Sequence, residues 1–405
     1  MKVLLIHPPH PNSTDDRLDP PMGLLYIASH LEKNYVDVDV LDLSGNSDWD
    51  VAIPFADIYG ITSYIATLGI TESIAKLCRL KNAKAQVIIG GAHASVRPQD
   101  FPYADKVVRG YGEAPMLALC GKQATVDLFE FPAFNKVNLG SYSRLIDGKP
   151  SVPFLTSRGC PFKCSFCGLA SMHNINGRYH MMKPDVAATQ LCRIKNELGI
   201  DRLNFQDDIF TMNRPRLFKI LEAVKELGFR FSCMGRAGYD TEETYEKLAE
   251  SGCQQIAWGI ETGSQYMLDR MRKEIKVQDN YNVIKWAKKY GIVSRAFFMI
   301  GFPGETRETI EETKRFIEKS DPDQYFVSNF TPYPGTEVAE NPEWYGITGM
   351  SHDYSNYFQV SKDGPGGCNI DTEWLSREQF RELELEFRQW IKSRGMRGAK
   401  QKYEG

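Results

Sequence analysis

Short apolar runs rich in β-branched residues alternate with helical stretches along most of this 405-residue chain. In the first third, helical patterns such as those over 22–31 and 70–80 separate several of these runs. Strands joined by crossover helices form parallel sheets, so the pattern predicts a doubly wound, Rossmann/flavodoxin-like α/β domain of five strands. The strands are expected near Val3–Ile6, Val36–Leu41, Ile58–Thr62, Val87–Gly90 and Val107–Arg109.

The same alternation returns from Val152 onwards, as six strand-helix units. That is two units short of a complete eight-unit barrel, so we predict a partial (β/α)6 TIM-type barrel. In such barrels the active residues come from the carboxyl ends of the strands and the loops that follow. The strands are expected near Val152–Thr156, Arg202–Gln206, Arg230–Met234, Gln255–Gly259, Val293–Ile300 and Tyr325–Asn329.

These patterns divide the chain into four parts. Residues 1–125 form the first domain, and 126–150 are a linker with turn-forming residues and no sustained periodicity. The partial barrel occupies 151–340. Residues 341–405 are read as a loop to about 370, a helix that begins with a capping box of Ser376 and Gln379, and a polar tail that frays.

Composition excludes several kinds of partner. Hydrophobic residues make up 42% and charged residues 25%, as in globular proteins, and the net charge of −3 gives no electrostatic footprint for nucleic acid. No apolar run approaches the length that crosses a bilayer, and Lys2 to His7 is typical of a buried strand rather than a signal peptide. Nine cysteines are too sparse for a disulfide framework. We expect a protein of a reducing compartment, the cytoplasm, with no nucleic-acid or membrane partner.

Three of the cysteines, Cys160, Cys164 and Cys167, stand close together after the first predicted barrel strand. Thiolates are soft ligands that suit iron-sulfur clusters, and a four-iron cube normally takes four of them. A structural zinc site would need a fourth ligand, and the next cysteines, Cys192 and Cys233, stand singly. The spacing therefore predicts a 4Fe-4S cluster with one iron left open.

This Cys-x3-Cys-x2-Cys run resembles the signature of the radical S-adenosylmethionine enzymes. Other motifs follow in the order of that family: Asp207-Asp208, Gly-Ile-Glu-Thr-Gly at 259–263, Gly-Phe-Pro-Gly-Glu-Thr at 301–306 and Pro-Tyr-Pro-Gly-Thr at 332–336. The resemblance covers about half of the chain, and order plus spacing is far less accidental than any single motif. It implies that the open iron chelates the amino and carboxylate groups of S-adenosylmethionine.

Residues at the ends of the barrel strands are candidates for holding the nucleoside and the methionine part. Phe166 can stack on the adenine or merely shield the cluster, and Arg236 can pair with a carboxylate. Glu261 can accept hydrogen bonds from ribose hydroxyls or an ammonium, and Gly301 and Gly304 allow backbone to approach the nucleoside. Arg236 and Glu261 can instead form structural ion pairs within the protein. Gly301 and Gly304 can instead be required only by the geometry of their turn.

Glycine-rich turns follow three of the predicted strands in the first domain, where glycine permits close backbone approach to a bulky ligand. Together with the downstream cysteines, these turns resemble the cobalamin-binding domain of cobalamin-dependent radical S-adenosylmethionine enzymes. The resemblance implies cobalamin contacts from Thr62, Ser63, Gly90, Gly91, His93, Gly110, Gly112 and Glu113.

The first strand lacks the histidine motif of cobalamin carriers that supply an axial ligand. Those carriers have Asp-x-His-x-x-Gly at this point, whereas this chain has His7-Pro-Pro-His10. The resemblance therefore implies a corrin bound without a protein histidine on cobalt. We expect His7, His10 and His93 to serve in turns or packing.

The family resemblance implies a radical enzyme that takes electrons from a flavodoxin or ferredoxin and cleaves S-adenosylmethionine to give a 5'-deoxyadenosyl radical. Methylation of an unactivated carbon in a small or cofactor-like substrate is the favoured reaction. Cyclisation, as in a magnesium-porphyrin ester cyclase, or rearrangement is the alternative. A hypothesis of another class is a cobalamin-binding sensor or carrier whose cluster is structural.

Overall fold

The computed structural model describes residues 1–393 apart from 12, 14, 47, 49, 51–52, 355–356, 358–359, 362–363 and 366. The chain divides into two compact units. The first comprises Met1–Ser143 with Ser171–Gly177 and Ser361–Asp363, and the second comprises the rest. The segment just after the cysteines therefore groups with the first unit. The boundaries proposed at residues 125, 150 and 340 stay predictions.

The first unit contains a parallel sheet of five strands in the order β2-β1-β3-β4-β5. The strand order reverses between β1 and β3, which is the switch point of a flavodoxin-like sheet. The predicted doubly wound domain is confirmed. Its strands are β1 (Lys2–His7), β2 (Asp37–Asp42), β3 (Ile58–Thr62), β4 (Gln86–Gly90) and β5 (Lys106–Val107). Its first helices are α1 (Met22–Lys33), α2 (Leu68–Lys81), α3 (Ala92–Val96) and α4 (Glu113–Leu119), with short 3-10 turns at Ile65–Thr67, Pro98–Asp100, Phe134–Lys136 and Leu139–Ser141.

Alternate residues of β1 enter two separate hydrophobic cores. Leu4 and Ile6 pack in the core that includes Ile74 of α2. Val3 and Leu5 pack in the core that includes Leu24 of α1. Side chains alternate between the faces of a strand, so this sheet is covered on both sides, as parallel sheets require.

The second unit contains a parallel sheet of six strands, β8, β11, β12, β13, β14 and β15, which neighbour each other in chain order. Helices connect successive strands, so the predicted partial barrel of six units is confirmed. The strands of this part are β6 (Leu145–Ile146), β7 (Lys149–Pro150), β8 (Val152–Phe154), β9 (Ser157–Gly159), β10 (Tyr179–Met181), β11 (Arg202–Phe205), β12 (Arg230–Gly235), β13 (Cys253–Glu261), β14 (Val293–Ile300) and β15 (Gln324–Asn329).

The sequence pattern predicts helices of the barrel at 186–198, 214–227, 242–251, 280–290 and 308–319, and the structure has helices close to these ranges. The helix expected at 186–198 is an α-helix that ends in a π-helical turn over Ile194–Leu198. The helices are α5 (Gly168–Ser171), α6 (His173–Asn176), α7 (Pro184–Arg193), α8 (Arg214–Glu226), α9 (Glu242–Glu250), α10 (Gln265–Arg270), α11 (Val277–Lys289), α12 (Arg307–Ser320) and α13 (Glu337–Glu340).

Aromatic side chains align the first strands of the six-stranded sheet. Phe205 of β11 lies 5.9 Å from Phe154 of β8 and 5.2 Å from Phe231 of β12, measured between ring centres. Phe210, in the loop after β11, stacks on Phe205 at 4.1 Å. All four rings are buried, so they fix neighbouring strands to one another at the edge where the candidate site lies.

The C-terminal part differs from the expected loop. A 3-10 turn (Pro342–Tyr345) precedes β16 (Ile347–Met350), which pairs antiparallel with β19 (Ile370–Thr372). The prediction of loop is wrong there, because these strands are too short for their alternation to stand out among glycines and aspartates. Between them lie β17 (Val360–Ser361) and β18 (Gly364–Pro365), and α14 (Arg377–Ser393) follows.

The final helix agrees with its prediction. The Ser376 N–H donates to the Gln379 side chain at 2.9 Å and the Gln379 N–H donates to the Ser376 hydroxyl at 3.3 Å, so the predicted capping box is confirmed. The predicted fraying of 396–405 and part of the predicted loop, at 362–363 and 366, lie outside the described residues. Among the helices that are described, none is both long and apolar enough to pass through a membrane.

Candidate functional site

The three clustered cysteines lie on one loop between β9 and α5. Two backbone hydrogen bonds shape this cysteine loop: the Cys167 N–H donates to the Cys164 carbonyl at 3.0 Å, and the Ala170 N–H donates to the Cys167 carbonyl at 3.1 Å. All three cysteines are free thiols; Cys164 is buried and Cys160 and Cys167 are half-buried. The loop follows the first strand of the sheet, as predicted, and offers three sulfur donors in one place.

This donor set fits an iron-sulfur cube. Burial raises the pKa of the Cys160 thiol to about 11, with smaller increases from Cys167 and Cys164, so the three sulfurs interact within one site. Burial raises the pKa of Cys167 as well. Among the described residues, no group of three His, Cys, Asp or Glu side chains is close enough to hold a single metal ion. The sulfur ligands of a cube stand on separate irons and are spaced more widely than that.

Two acidic residues after β11 hold the backbone that leads into the cysteine loop. Asp207 is fully buried and accepts hydrogen bonds from the Thr156 N–H at 3.0 Å and from the hydroxyls of Thr156 and Ser157. Asp208 accepts from the Gly159 N–H at 3.0 Å, and burial raises its pKa to about 6. The sequence allows these carboxylates either to orient a polar substrate or to cap the following helix. Their partners are not at a helix N-terminus, so the capping interpretation is wrong, and contact with a substrate stays a prediction. They anchor the start of the loop.

The middle of the loop is held at Ser165. Its N–H donates to the Met271 carbonyl at 3.0 Å, and its carbonyl accepts from the Val338 N–H at 3.2 Å. The next residue, Phe166, meets Phe302 edge-on at 6.3 Å and packs against the buried cluster around it. The structure therefore shows Phe166 packed within the chain, and both shielding of the cluster and stacking on an adenine stay predictions.

Arg236, directly after β12, reaches the cysteine loop. Its Nη1 lies 3.5 Å from the Cys164 sulfur, and its guanidinium carbon lies 3.8 Å from the centre of the Phe162 ring. Nη2 donates to the Lys273 carbonyl. The structure thus places this guanidinium on a predicted cluster ligand, and its predicted pairing with a carboxylate stays untested. Phe162 and Lys273 were missed by the sequence reasoning.

Glu261 ends β13 with a left-handed backbone, at φ 65°. One of its carboxylate oxygens lies 2.7 Å from the ammonium of Lys273, and both side chains are largely buried. A Cβ on Gly259 would collide with this carboxylate, which explains the glycine two residues earlier. The structure therefore shows Glu261 in an ion pair within the chain, and contact with a ribose stays a prediction.

The two glycines after β14 have positive φ, 82° at Gly301 and 100° at Gly304. A Cβ on Gly301 would stand 2.6 Å from the Phe380 ring, and one on Gly304 would stand 2.5 Å from Arg270 Nε. Both positions thus require glycine for turn geometry and for close packing within the protein. Approach of this backbone to a nucleoside stays a prediction.

In the first unit, the turns after β3 and β4 lie against each other. Gly91 has φ 100°, and a Cβ there would stand 2.7 Å from the Ser63 carbonyl and from the Thr62 hydroxyl. The Ser63 N–H donates to the Gly90 carbonyl at 2.8 Å. These predicted cobalamin-contact residues therefore lie together at the carboxyl edge of the sheet. Gly91 must be glycine there, because its backbone lies directly against Thr62 and Ser63.

The turn after β5 is packed against the segment that follows the cysteine loop. The Tyr111 N–H donates to the Asn176 side-chain oxygen at 3.0 Å, and a Cβ on Gly110 would collide with that oxygen. A Cβ on Gly112 would stand 2.6 Å from Ile27 of α1. Glu113 begins α4 and is buried. The sequence did not signal Asn176, because its role depends on the tertiary placement of α6.

The three histidines of this edge have different surroundings. The His93 side chain is buried, and its Nε2 lies 2.8 Å from Asp100 Oδ2, which agrees with a packing role. His7, at the switch point, meets the Tyr64 ring edge-on at 6.0 Å, and burial lowers its pKa. The Nδ1 atoms of His7 and His10 are buried without hydrogen-bond partners among the described residues. Buried polar atoms without partners at this edge of the sheet fit a polar ligand such as a corrin.

Two family models match the chain. The model for the B12 binding domain matches residues 19–120, within the five-stranded unit. The model for the radical SAM superfamily matches residues 154–317, which include the cysteine loop. The first match covers β2 to β5 of the five-stranded sheet, and the second covers β11 to β14 of the six-stranded sheet.

Relatives and solved structures agree with these matches. An uncharacterized methyltransferase of Pyrococcus horikoshii is 30% identical over 84% of this chain and 83% of its own. The anaerobic magnesium-protoporphyrin IX monomethyl ester cyclase of Rubrivivax gelatinosus is 25% identical over 84% of this chain and 70% of its own. The radical S-adenosylmethionine methyltransferase TsrM of Kitasatospora setae, solved with cobalamin and a 4Fe-4S cluster, shares the fold with a TM-score of 0.73 at 16% identity, over 96% of this chain and 89% of that one. The chain therefore belongs to the radical S-adenosylmethionine superfamily, among the members that carry a B12-binding domain before the radical domain.

Proposed function

We propose that this protein methylates an unactivated carbon of a small or cofactor-like molecule, as a cobalamin-dependent radical S-adenosylmethionine methyltransferase. The observation that carries this proposal is the loop of three thiols at the carboxyl end of the first strand of a parallel six-stranded sheet. The relative from Pyrococcus horikoshii, a methyltransferase by name, supports methyl transfer.

The residues of this chain divide the work of holding the cofactors. Cys160, Cys164 and Cys167 supply the three protein ligands of a 4Fe-4S cluster, on a loop that Asp207 and Asp208 hold to the sheet. Reductive cleavage of S-adenosylmethionine and carriage of a methyl group are the chemistry that the cluster and cobalamin supply when bound.

The glycine turns of the first unit offer their backbone to the corrin. Gly90, Gly91, Gly110 and Gly112 lie at the carboxyl edge of the sheet, where doubly wound sheets bind their ligands, and we infer that their backbone contacts the corrin. Thr62 and Ser63 add hydroxyl groups at the same edge. Because His93 is held by Asp100, we propose that the corrin binds there without His93 on cobalt.

We further propose that the electrons come from a flavodoxin or ferredoxin and that the protein works in the cytoplasm. All nine cysteines are free thiols, which suits a reducing compartment. A radical enzyme of this kind needs a low-potential one-electron donor, and these two protein classes supply such electrons.

The first test measures cleavage of S-adenosylmethionine. Anaerobically reconstituted, reduced protein should form 5'-deoxyadenosine, and Cys164→Ala should abolish its formation. Cys192→Ala is the matched control, because Cys192 is exposed on α7 and should leave the rate unchanged. Wild-type protein that carries a cluster and forms no 5'-deoxyadenosine would instead support a sensor or carrier.

The second test separates methylation from the alternative reaction. The relative from Rubrivivax gelatinosus is a cyclase by name, so ring formation is the second candidate. Reduced enzyme is given deuteromethyl-labelled S-adenosylmethionine and cell extract, and the products are analysed by mass spectrometry. Methylation predicts a product that carries the labelled methyl group. A new product without the label contradicts methyl transfer and favours cyclisation or rearrangement.

A further inference from the structure

Arg236 is a buried cation without a carboxylate partner among the described residues. It is 7% exposed, and its polar contacts are the Cys164 sulfur at 3.5 Å and the Lys273 carbonyl. Arg202, equally buried, instead pairs with Asp201 at 2.9 Å and Asp147 at 3.2 Å. A buried charge is costly unless an opposite charge compensates it. The surroundings of Arg236 therefore call for an anion.

The charged groups near Arg236 leave the sulfur ligands as that anion. Glu261, the carboxylate that pairs with Lys273, is already neutralised by the Lys273 ammonium at 2.7 Å. Asp208 hydrogen-bonds the backbone of Gly159, at the start of the loop. Cys164 is thus the one group in contact with the guanidinium that becomes negative when it binds iron.

The guanidinium is also fixed in position. Its central carbon lies over the Phe162 ring at 3.8 Å from the ring centre, and its Nη2 donates to the Lys273 carbonyl. Phe162 stands between the first two cysteines of the loop. A cation held this rigidly and away from water acts on its neighbour through a low dielectric, so its effect on a nearby charge is large.

We propose that Arg236 raises the reduction potential of the cluster by stabilising the negative charge that reduction adds next to Cys164. In this step one electron passes from the flavodoxin or ferredoxin, which is oxidised by one electron, to the cluster, which is reduced by one. No bond forms or breaks and no proton moves. The inference rests on the proposed function and gives Arg236 a role different from binding the carboxylate of S-adenosylmethionine.

The test is a redox titration of the reconstituted full chain, followed by electron spin resonance, without S-adenosylmethionine or substrate. At a fixed potential, Arg236→Gln should lower the ratio of reduced to oxidised cluster at least tenfold, which is 59 mV for a one-electron couple. Arg236→Lys keeps the charge but not the planar group that stacks on Phe162, so it should lose less than Arg236→Gln. Arg202→Gln, which removes a buried arginine elsewhere in the barrel, should not shift the titration.

Three outcomes overturn the inference: Arg236→Gln titrating like wild type, Arg236→Lys losing as much as Arg236→Gln, or Arg202→Gln shifting the titration equally. If Arg236→Gln does not retain its cluster by iron analysis, Arg236→Met, which also removes the charge, replaces it with the same expected loss. Weaker binding of S-adenosylmethionine at an unchanged potential would assign Arg236 to the carboxylate instead. Wild-type protein without a cluster signal would contradict the proposed function. A normal cluster whose reduction potential does not change in the Arg236 variants would contradict only this inference.

Discussion

Glu305, in the turn after β14, is a carboxyl group enclosed by protein. It is 4% exposed, and its two oxygens accept hydrogen bonds from the Gly301 N–H at 2.9 Å and the Thr309 hydroxyl at 2.7 Å. Burial raises its pKa from 4.5 to about 7, against the opposing effect of both hydrogen bonds. The folded protein therefore keeps a proton on Glu305 over a pH range in which the unfolded chain has lost it.

This shift makes stability depend on pH. Above the unfolded pKa of 4.5 only the folded state holds the proton, so the free energy of unfolding falls as the pH rises and levels off above about 7. Glu305→Gln does not titrate there. As the pH rises from 4.5 to 7.5, the free energy of unfolding of wild type should fall by on the order of 3 kcal/mol relative to that of Glu305→Gln, measured by urea unfolding. The exposed Glu308→Gln is the control, and parallel profiles for wild type and Glu305→Gln would contradict the expectation.

Gly91 offers a sharper test of backbone geometry. Its φ of 100° and the Ser63 carbonyl 2.7 Å from the place of a Cβ leave no room for alanine. Gly91→Ala should destabilise the first unit by more than about 1 kcal/mol, because the clash is with backbone that cannot rotate away. Gly23→Ala, in α1 with open space around it, should instead stabilise by roughly 0.5 kcal/mol. Thermal unfolding of both variants measures this difference in stability. Equal unfolding temperatures for Gly91→Ala and Gly23→Ala would contradict the prediction.

The sequence identified individual site residues better than their partners. The cysteine spacing and the glycines are local patterns, and the structure places them on the loops expected. The ion pair of Glu261 with Lys273 and the contact of Arg236 with Cys164 join different loops of the barrel. Such contacts depend on how strands register in space, and a single sequence taken alone carries no signal for them.

Helix α14 closes against the turn after β14. Phe380, 5% exposed, fills the space left by the missing side chain of Gly301. Phe380→Ala should therefore lower the free energy of unfolding by about 3–5 kcal/mol, as for other buried phenylalanines. Leu385→Ala on the same helix is the control, because Leu385 is 57% exposed and should change stability by less than about 0.5 kcal/mol. If both variants lost the same free energy of unfolding in urea, the predicted contrast between the buried and the exposed face of α14 would be contradicted.

Elements with strong periodicity were predicted closely, and weak ones were not. The strand Val293–Ile300 has the predicted bounds, because its last five residues form an apolar run that stops at Gly301. Helix α14 has both a capping box and an apolar stripe. In contrast, β16 and β19 gain their pairing from each other across a long interval of chain, and their short sequences resemble turns. Long-range pairing of short strands is the kind of structure that a local pattern does not reveal.

The two units have separate hydrophobic cores, so each has its own source of stability. The flavodoxin-like order of the first sheet and the consecutive order of the second both follow from strand-helix alternation, which is why the fold class could be predicted. A ligand that binds only the folded form of one unit stabilises that unit by mass action. Cobalamin and the cluster should therefore act on different parts of the unfolding profile.

This separation can be tested with cobalamin in the complete protein. Hydroxocobalamin at one hundred times its dissociation constant should stabilise the unit that binds it by about 2.7 kcal/mol. Native-state hydrogen exchange, which follows each segment, should show this added protection in β1, β3 and β4 of wild type. The protection should shrink in Gly91→Ala at the same cobalamin concentration, because the strained turn after β4 forms part of the proposed edge, whereas Gly23→Ala should retain it. Protection by cobalamin confined to the six-stranded sheet, or unaffected by Gly91→Ala, would contradict the proposed site, since the ligand would then be held away from the carboxyl edge of the first sheet.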